Sequence, residues 1–189
     1  MKPFLHLLTT AAILTATATT AADTHNEQAA WAALRQGGVV VFRHANAPGG
    51  GDPPGMTVGD CASQRNLDDS GRDQARRIGE RLRKEKVAVG AVWSSAWCRT
   101  LDTAALLKAG NVRNEPAFDS FFADRSREPA QTAAARSLLL GWRGPGTLVV
   151  VTHQVNITAL TGVLPASGEG VVLRRGSGSR LDVVGRVLP

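Results

Sequence analysis

Three uninterrupted apolar runs constrain the fold of this chain more than any other feature of its sequence. They are Val39–Phe42, Val87–Trp93 and Thr147–Thr152. A strand with one solvated face alternates polar and apolar side chains, whereas a continuous apolar run is typical of a strand buried on both faces. Helical patterns separate the three runs. The sequence therefore predicts an α/β domain with a mostly parallel sheet.

The segments between and after these strands carry helix, strand and loop signals. The clearest helix follows Asp68 and Ser70, either of which can cap it, and it buries Ala75, Ile78 and Leu82 as one stripe. The other predictions are helices at Asn26–Leu34, Ala96–Leu107, Thr132–Trp142 and Asn156–Val163, strands at Gly170–Leu173 and Leu181–Val187, and an aperiodic loop at Ala45–Gly59. Loops of that length are often functional.

The amino-terminal residues have the pattern of a secretory signal peptide. Lys2 supplies the positive charge, Leu5–Leu14 is mostly apolar, and small residues lead to a cleavage site after Ala22. The alternative is a retained membrane anchor, but a span of ~30 Å needs ~20 apolar residues. We therefore predict a signal peptide at residues 1–22, no stable membrane insertion, and a periplasmic or secreted mature protein.

Export determines how the two cysteines are interpreted. Cys61 and Cys98 are the only cysteines in the chain, and an exported protein folds in an oxidising compartment. A Cys61–Cys98 disulfide is therefore favoured over two buried thiols. A zinc site is disfavoured, because no histidine is paired with these cysteines at ligand spacing.

The chain is basic, with 22 Lys and Arg against 16 Asp and Glu and a net charge of +6. Loss of residues 1–22 would remove Lys2 and no acid, and would leave +5. A basic surface favours anionic partners, although a solvated basic face without a partner is the alternative. Few aromatic residues and no recognition motif argue against nucleic acid. Small phosphorylated molecules or anionic lipid headgroups fit the charge as well.

Polar residues follow each of the three apolar strands. Arg43 and His44 follow the first, Ser94 and Ser95 the second, and His153 the third. The carboxyl ends of parallel strands meet at one edge of a sheet, and ligands bind there. Since Arg99 follows in the next helix, two histidines and two arginines should share this edge. Guanidinium groups match phosphate oxygens in pairs, so the cluster indicates a dianionic ligand.

Four motifs occur in order along the chain: VVVFRHA, LDDSGRDQA, VWSSAWCRTLDTA and LVVVTHQVNI, which span roughly residues 36–163. In this combination the sequence resembles the histidine phosphatase superfamily (branch 1), which includes phosphoglycerate mutases and acid phosphatases. Export and the loop composition suggest a small exported subgroup of it. The resemblance implies a phosphoglycerate mutase-like fold: an α/β three-layer sandwich with a mostly parallel central sheet, formed by residues 23–189 as a single domain.

The resemblance also implies a mechanism. His44 would be the nucleophile that forms a covalent phosphohistidine, which water then hydrolyses. Arg43, Arg99 and His153 would bind the phosphoryl oxygens. No metal or organic cofactor would be needed. The alternative is that both histidines are hydrogen-bonded core residues. The chain departs from the family pattern at Ala45, where glycine is usual, and a methyl group there could crowd the phosphate.

A leaving alkoxide needs a proton, and the family supplies it from a carboxylic acid. Asp119 is the first candidate and Asp124 the second, with Glu169 as a residue that could also approach the cleft. For each of them, taken singly, a solvated surface carboxylate is the favoured alternative.

Further substrate contacts are predicted for Asn46, Arg65, Gln154 and Glu169. The alternative for Asn46 and Gln154 is a role in loop structure, and the alternative for Arg65 is a surface salt bridge. The sequence thus predicts an exported phosphomonoesterase acting on a small phosphorylated substrate, such as a sugar phosphate of the cell envelope. A phosphohistidine protein phosphatase and a catalytically weak phosphate-binding module are the alternatives.

Overall fold

The computed structural model describes residues 17–189, with side chains from residue 26 onward. Residues 1–16, which make up most of the predicted signal peptide, lie outside the described residues. Within the described part of the chain, no helix combines the length and the apolar character required to span a bilayer.

One six-stranded sheet organises the fold. Its strands are β1 (Val39–Arg43), β2 (Val89–Ser94), β3 (Val112–Asn114), β4 (Thr147–Thr152), β5 (Gly170–Arg175) and β6 (Leu181–Val187). The strand order is β3-β2-β4-β1-β5-β6. The first four strands run parallel, whereas β5 is antiparallel to both β1 and β6. The predicted mostly parallel sheet is confirmed.

Five helices flank the sheet. They are α1 (Thr17–Arg35), α2 (Asp69–Lys84), α3 (Cys98–Leu106), α4 (Glu128–Gly141) and α5 (Gln154–Thr161). Helix α4 begins at Glu128, four residues before the predicted start at Thr132, and Pro129 lies in its first turn. Proline is tolerated there, since the backbone N–H that it lacks would have no partner within the helix.

Alternation along β1 explains why its whole sequence is apolar. Val40 and Phe42 pack into a core with side chains of α1, α2 and α3, among them Ile78. Val39 and Val41 point to the opposite face, where they meet α4 and α5. Both faces of the strand are therefore buried, and the three-layer arrangement predicted for the chain is confirmed.

Strand β3 was not predicted from the sequence. It consists of Val112, Arg113 and Asn114, which are exposed or half-buried at the edge of the sheet. A short edge strand has no buried apolar run, so hydrophobic periodicity carries no signal for it.

The start of α2 supports the loop that follows β1. A Cβ atom at Gly71 would lie 2.0 Å from the carbonyl oxygen of Asn46, so only glycine allows this approach. Gln74 accepts a hydrogen bond from the Asn46 N–H at 2.9 Å and donates one to the Ser167 carbonyl at 2.9 Å. The glycine and glutamine of the LDDSGRDQA motif thus fix the backbone beside His44.

The disulfide between Cys61 and Cys98 is present, with Cα atoms 5.6 Å apart. It connects the segment after the long loop to the first residue of α3. Gln64 reinforces this connection, because its side-chain oxygen accepts a hydrogen bond from the Cys98 N–H at 2.9 Å.

Removal of this disulfide in a Cys61→Ser/Cys98→Ser variant is expected to lower the free energy of unfolding by about 3–4 kcal/mol. The crosslink spans 37 residues of sequence and restricts the unfolded chain accordingly. Urea denaturation of both proteins measures the difference. Equal midpoints, with equal denaturant slopes, would contradict the expectation.

Candidate active site

The carboxyl ends of β1, β2 and β4 meet at one cavity of about 330 Å³. The position follows from the parallel pairing of these strands, which brings Arg43 beside Thr152 and Ser94 beside Val151. The lining residues are Arg43, His44, Gly49, Gly50, Gly51, Asp52, Arg65, Arg99, Ser120, Phe122, Arg125, His153, Gln154 and Val155.

His44 is held in a single orientation at the end of β1. Its backbone N–H donates to the Thr152 carbonyl at 2.9 Å, and only 2% of the residue is exposed. Nδ1 lies 2.7 Å from the carbonyl oxygen of Ala45. Since a carbonyl can only accept, Nδ1 carries the proton and Nε2 carries the free electron pair. The ring therefore has the tautomer of a nucleophile that uses Nε2.

His44 also stays neutral at physiological pH. Burial lowers its pKa to about 3, and the positive charges of Arg99, Arg43 and Arg65 act in the same direction. A neutral imidazole is the reactive form, because protonation would occupy the electron pair needed for attack.

His153 lies close to His44, with ring centres 5.6 Å apart. Arg99 is 3.4 Å from Nδ1 and can only donate, so Nδ1 accepts and Nε2 carries the proton. Nε2–H donates a hydrogen bond to the Ser95 hydroxyl oxygen, 2.8 Å away. Burial, followed by the charge of Arg99, lowers the pKa of His153 well below its ordinary value. This ring is therefore also neutral.

Four arginines supply the positive charge of the cavity: Arg43, Arg65, Arg99 and Arg125. Burial, followed by the charge of Arg99, lowers the pKa of both Arg43 and Arg65. Within the described residues, the Nε atoms of Arg43, Arg65 and Arg99 are buried without a hydrogen-bond acceptor. Crowded guanidinium groups of this kind are stabilised by a multiply charged anion.

Asp52 is a site residue that the sequence did not reveal. It lies in the long loop and accepts hydrogen bonds from both terminal nitrogens of Arg99, at 2.6 and 3.1 Å. The indole of Trp97 and the backbone N–H of Arg65 add bonds of 3.2 Å each. Burial alone would raise the pKa of Asp52, but the bonds and charge of Arg99 lower it below its usual range.

Comparison with known proteins identifies this arrangement. Residues 39–125, which include β1, α2 and α3, match the sequence model of the histidine phosphatase superfamily (branch 1). The match covers just under half of the chain, including Arg43, His44 and Arg99, and over this region the chain is similar to the superfamily. The similarity supports a phosphatase that works through a histidine. No curated protein sequence matches the chain significantly.

Solved structures share the fold of this histidine phosphatase. The protein histidine phosphatase SixA in complex with tungstate aligns with a TM-score of 0.58 at 15% identity, over 79% of this chain and 96% of that one. A mycobacterial glucosyl-3-phosphoglycerate phosphatase gives 0.54 at 21% identity, over 77% and 96%. A protein described as mycobacterial hydrolase 1 gives 0.56 at 18% identity, over 77% and 95%.

The carboxylates expected as general acids of this histidine phosphatase do not line the cavity. Asp119 lies behind Ser95 and accepts a hydrogen bond from the Ala96 N–H at 2.8 Å, while burial raises its pKa. Asp124 is exposed and bonds to the backbone of Ser126 at 3.1 Å. Neither carboxylate lines the cavity, so the structure gives no direct support for their predicted role in proton transfer.

Two predicted substrate contacts need correction. Glu169 is buried in an ion pair with Arg186 and accepts the Ala166 N–H at 2.7 Å, because this loop needs an internal acceptor. Asn46 donates to Asp68 at 3.0 Å, so its side chain bridges the loop to the cap of α2. Neither residue lines the cavity, whereas Arg65 and Gln154, also predicted, do.

Ala45 fits this histidine phosphatase without backbone strain. Among the described non-glycine residues, only Lys86 and Lys108 have positive φ. The Ala45 methyl group is fully buried and packs in a small cluster with Ala47, Leu67 and Ala75. The expected crowding of the phosphate is therefore avoided, because the methyl group is part of the core beside the cavity.

The buried neutral histidines make folding of this histidine phosphatase dependent on pH. The pKa of His44 is about 3 in the folded protein and 6.5 when unperturbed. Between these values unfolding takes up a proton, so stability falls as the pH falls, by about 1.4 kcal/mol per pH unit. A His44→Asn variant is expected to lose that part of the slope between pH 6 and 4 in urea denaturation. An unchanged slope would show that His44 is protonated in the fold.

In the described part of the chain, no three His, Cys, Asp or Glu side chains are grouped as a metal ion would require.

Proposed function

We propose that this chain is an exported phosphomonoesterase that hydrolyses a small phosphate ester through a phosphohistidine on His44. One observation carries the proposal. The free Nε2 of His44 lies in a cavity lined by four guanidinium groups, with its tautomer fixed by the 2.7 Å contact with Ala45. A neutral nucleophile within a cationic pocket suits attack on a phosphate dianion.

The reaction consists of two displacements. Nε2 of His44 forms a bond to phosphorus as the bond between phosphorus and the ester oxygen breaks, and the leaving alkoxide takes a proton from water and departs as the alcohol. Water then attacks phosphorus, the nitrogen–phosphorus bond breaks, and inorganic phosphate is released. Arg43, Arg65 and Arg99 stabilise the charge on the phosphoryl oxygens in both steps.

The experiment that tests this proposal is trapping of the phosphoenzyme. A phosphate ester labelled with ³²P is mixed with the protein, which is quenched in base and digested to peptides. Label should appear on the peptide that contains His44 and should be lost in acid, as a phosphoramidate is. Tight phosphate binding without labelling or turnover would instead establish a catalytically weak phosphate-binding module.

Export is part of the proposal and has two supports. The pattern of residues 1–22 is that of a signal peptide. The Cys61–Cys98 disulfide is typical of oxidising compartments. Amino-terminal sequencing of the protein from its source cell tests this part, and a mature protein that retains residues 1–22 would contradict it.

The physiological substrate is proposed to be a sugar phosphate of the cell envelope, since an exported enzyme meets such molecules. A similar fold occurs in a phosphatase named for glucosyl-3-phosphoglycerate. A panel of sugar phosphates, with glycerol phosphate as a reference, tests the assignment. A kcat/KM for sugar phosphates no higher than for the reference would reject it.

A second candidate is a phosphohistidine protein phosphatase. Among the described residues that line the cavity, Asp52 is the only carboxylate, and Arg99 keeps it ionised. A nitrogen leaving group has less need of a carboxylic acid than an alkoxide has. The fold is similar to that of SixA, a protein histidine phosphatase. Higher kcat/KM for a phosphohistidine protein than for sugar phosphates would favour this candidate.

A further inference from the structure

An exposed aromatic ring lies on the wall of the cavity. Phe122 is 57% exposed, and of the large hydrophobic side chains that are exposed in residues 26–189 it is the only aromatic one. The others, such as Val58 and Leu164, do not line this cavity. An apolar ring beside a phosphate pocket offers a surface to the part of a ligand that is not phosphate.

Neighbouring residues fix the position of this ring. Phe121, the preceding residue, is 1% exposed and anchors the segment in the protein. The guanidinium of Arg125 lies 5.7 Å from the centre of the Phe122 ring and 5.8 Å from that of Phe121. Arg125 is itself paired with Glu128 at 3.5 Å. Phe122 is thus held at its position by a cation–π contact, although more than half of the residue is exposed.

The part of the cavity wall next to Phe122 has no side chains. It consists of Gly49, Gly50 and Gly51, and a Cβ atom at Gly51 would lie 3.8 Å from the edge of the Phe122 ring. A Cβ atom at Gly50 would meet nothing within 4 Å. The glycine backbone therefore adjoins the Phe122 ring at Gly51 and leaves open space at Gly50.

We propose that Phe122 is the specificity-determining residue for the leaving group, and that it selects alcohols with a rigid ring, such as a pyranose. This inference rests on the proposed function and adds the shape of the substrate to it. One face of such a ring packs on Phe122, and Gly50 presents no side chain that would obstruct it. A rigid ring loses less conformational freedom than a flexible chain when it packs on an apolar surface.

The test uses binding of phosphonates that cannot be hydrolysed, so that it does not depend on turnover. Calorimetry measures Kd for cyclohexylphosphonate, n-hexylphosphonate and ethylphosphonate. The native protein is expected to bind the cyclohexyl compound about tenfold more tightly than either other compound, which is the size expected of one apolar contact. Phe122→Ala should remove this preference, and Phe122→Trp should keep it.

Val58→Ala is the matched control, because it removes an exposed apolar side chain outside the cavity lining. It should leave all three constants within twofold. Equal binding of cyclohexyl- and n-hexylphosphonate by the native protein, or a preference that persists in Phe122→Ala, would overturn the inference. A normal preference together with no hydrolysis of any ester would reject the proposed function instead.

Discussion

Replacing His44 with asparagine is expected to lower kcat for phosphate esters by about 10⁴-fold or more, the scale seen when an enzyme loses its nucleophile. Asparagine keeps a donor that can reach the Ala45 carbonyl, which His44 Nδ1 contacts at 2.7 Å, but it removes the electron pair of Nε2. The variant should therefore fold and bind phosphate without reacting. Initial rates and circular dichroism together measure this outcome.

The comparison variant for this prediction is His153→Asn. His153 lies 5.6 Å from His44 between ring centres and is assigned to phosphate binding, so its loss should reduce the rate less than loss of His44. It should also leave a phosphoenzyme that can be trapped. If His153→Asn were the more damaged variant and could not be labelled, the nucleophile would have to be reassigned.

Replacing Arg99 with alanine is expected to reduce kcat/KM by about 10³-fold, as loss of a main oxyanion donor does. Arg99 is only 3% exposed, contacts His153, and holds Asp52 through two hydrogen bonds. The single variant therefore also leaves a carboxylate without its partner in an anion pocket, which adds repulsion to the loss of a donor. Steady-state kinetics with one phosphate ester gives the ratio.

The double variant Arg99→Ala/Asp52→Ala separates these two effects. It should recover part of the affinity for phosphate, because the uncompensated carboxylate is gone, while kcat stays low. Arg180→Ala is the matched control, since Arg180 is an exposed arginine in a turn, paired with Asp182 at 2.8 Å. A loss of rate in Arg180→Ala similar to that in Arg99→Ala would mean that overall charge, not position, sets the activity.

The central site could be predicted because strand ends have a fixed geometry. His44 and His153 are 109 residues apart in sequence, yet β1 and β4 are paired in parallel, so their carboxyl ends must meet. Arg99 follows the same logic through β2. In each case the residue is one or a few positions after a buried apolar strand, where the chain leaves little freedom in its placement.

Residues outside that geometry were predicted less well. Asp52 lies in an aperiodic loop, whose path depends on the disulfide and on long-range contacts with Arg99 and Trp97. Asp119 was expected at the cavity because the family often takes its general acid from this segment, but the carboxylate bonds to the Ala96 N–H and lies behind Ser95. No local sequence pattern indicates where either carboxylate lies, since the residue that binds each one is distant in sequence.

The pairing of Asp52 with Arg99 has a consequence for which esters can react. An incoming ligand must share a guanidinium that already faces one negative charge within the cavity. A phosphodiester carries one negative charge, the same as the Asp52 carboxylate, and the two would compete for the Arg99 guanidinium. A terminal phosphate carries two and gains from the remaining arginines as well. We therefore expect the resident carboxylate to favour the binding of phosphate monoesters over that of diesters.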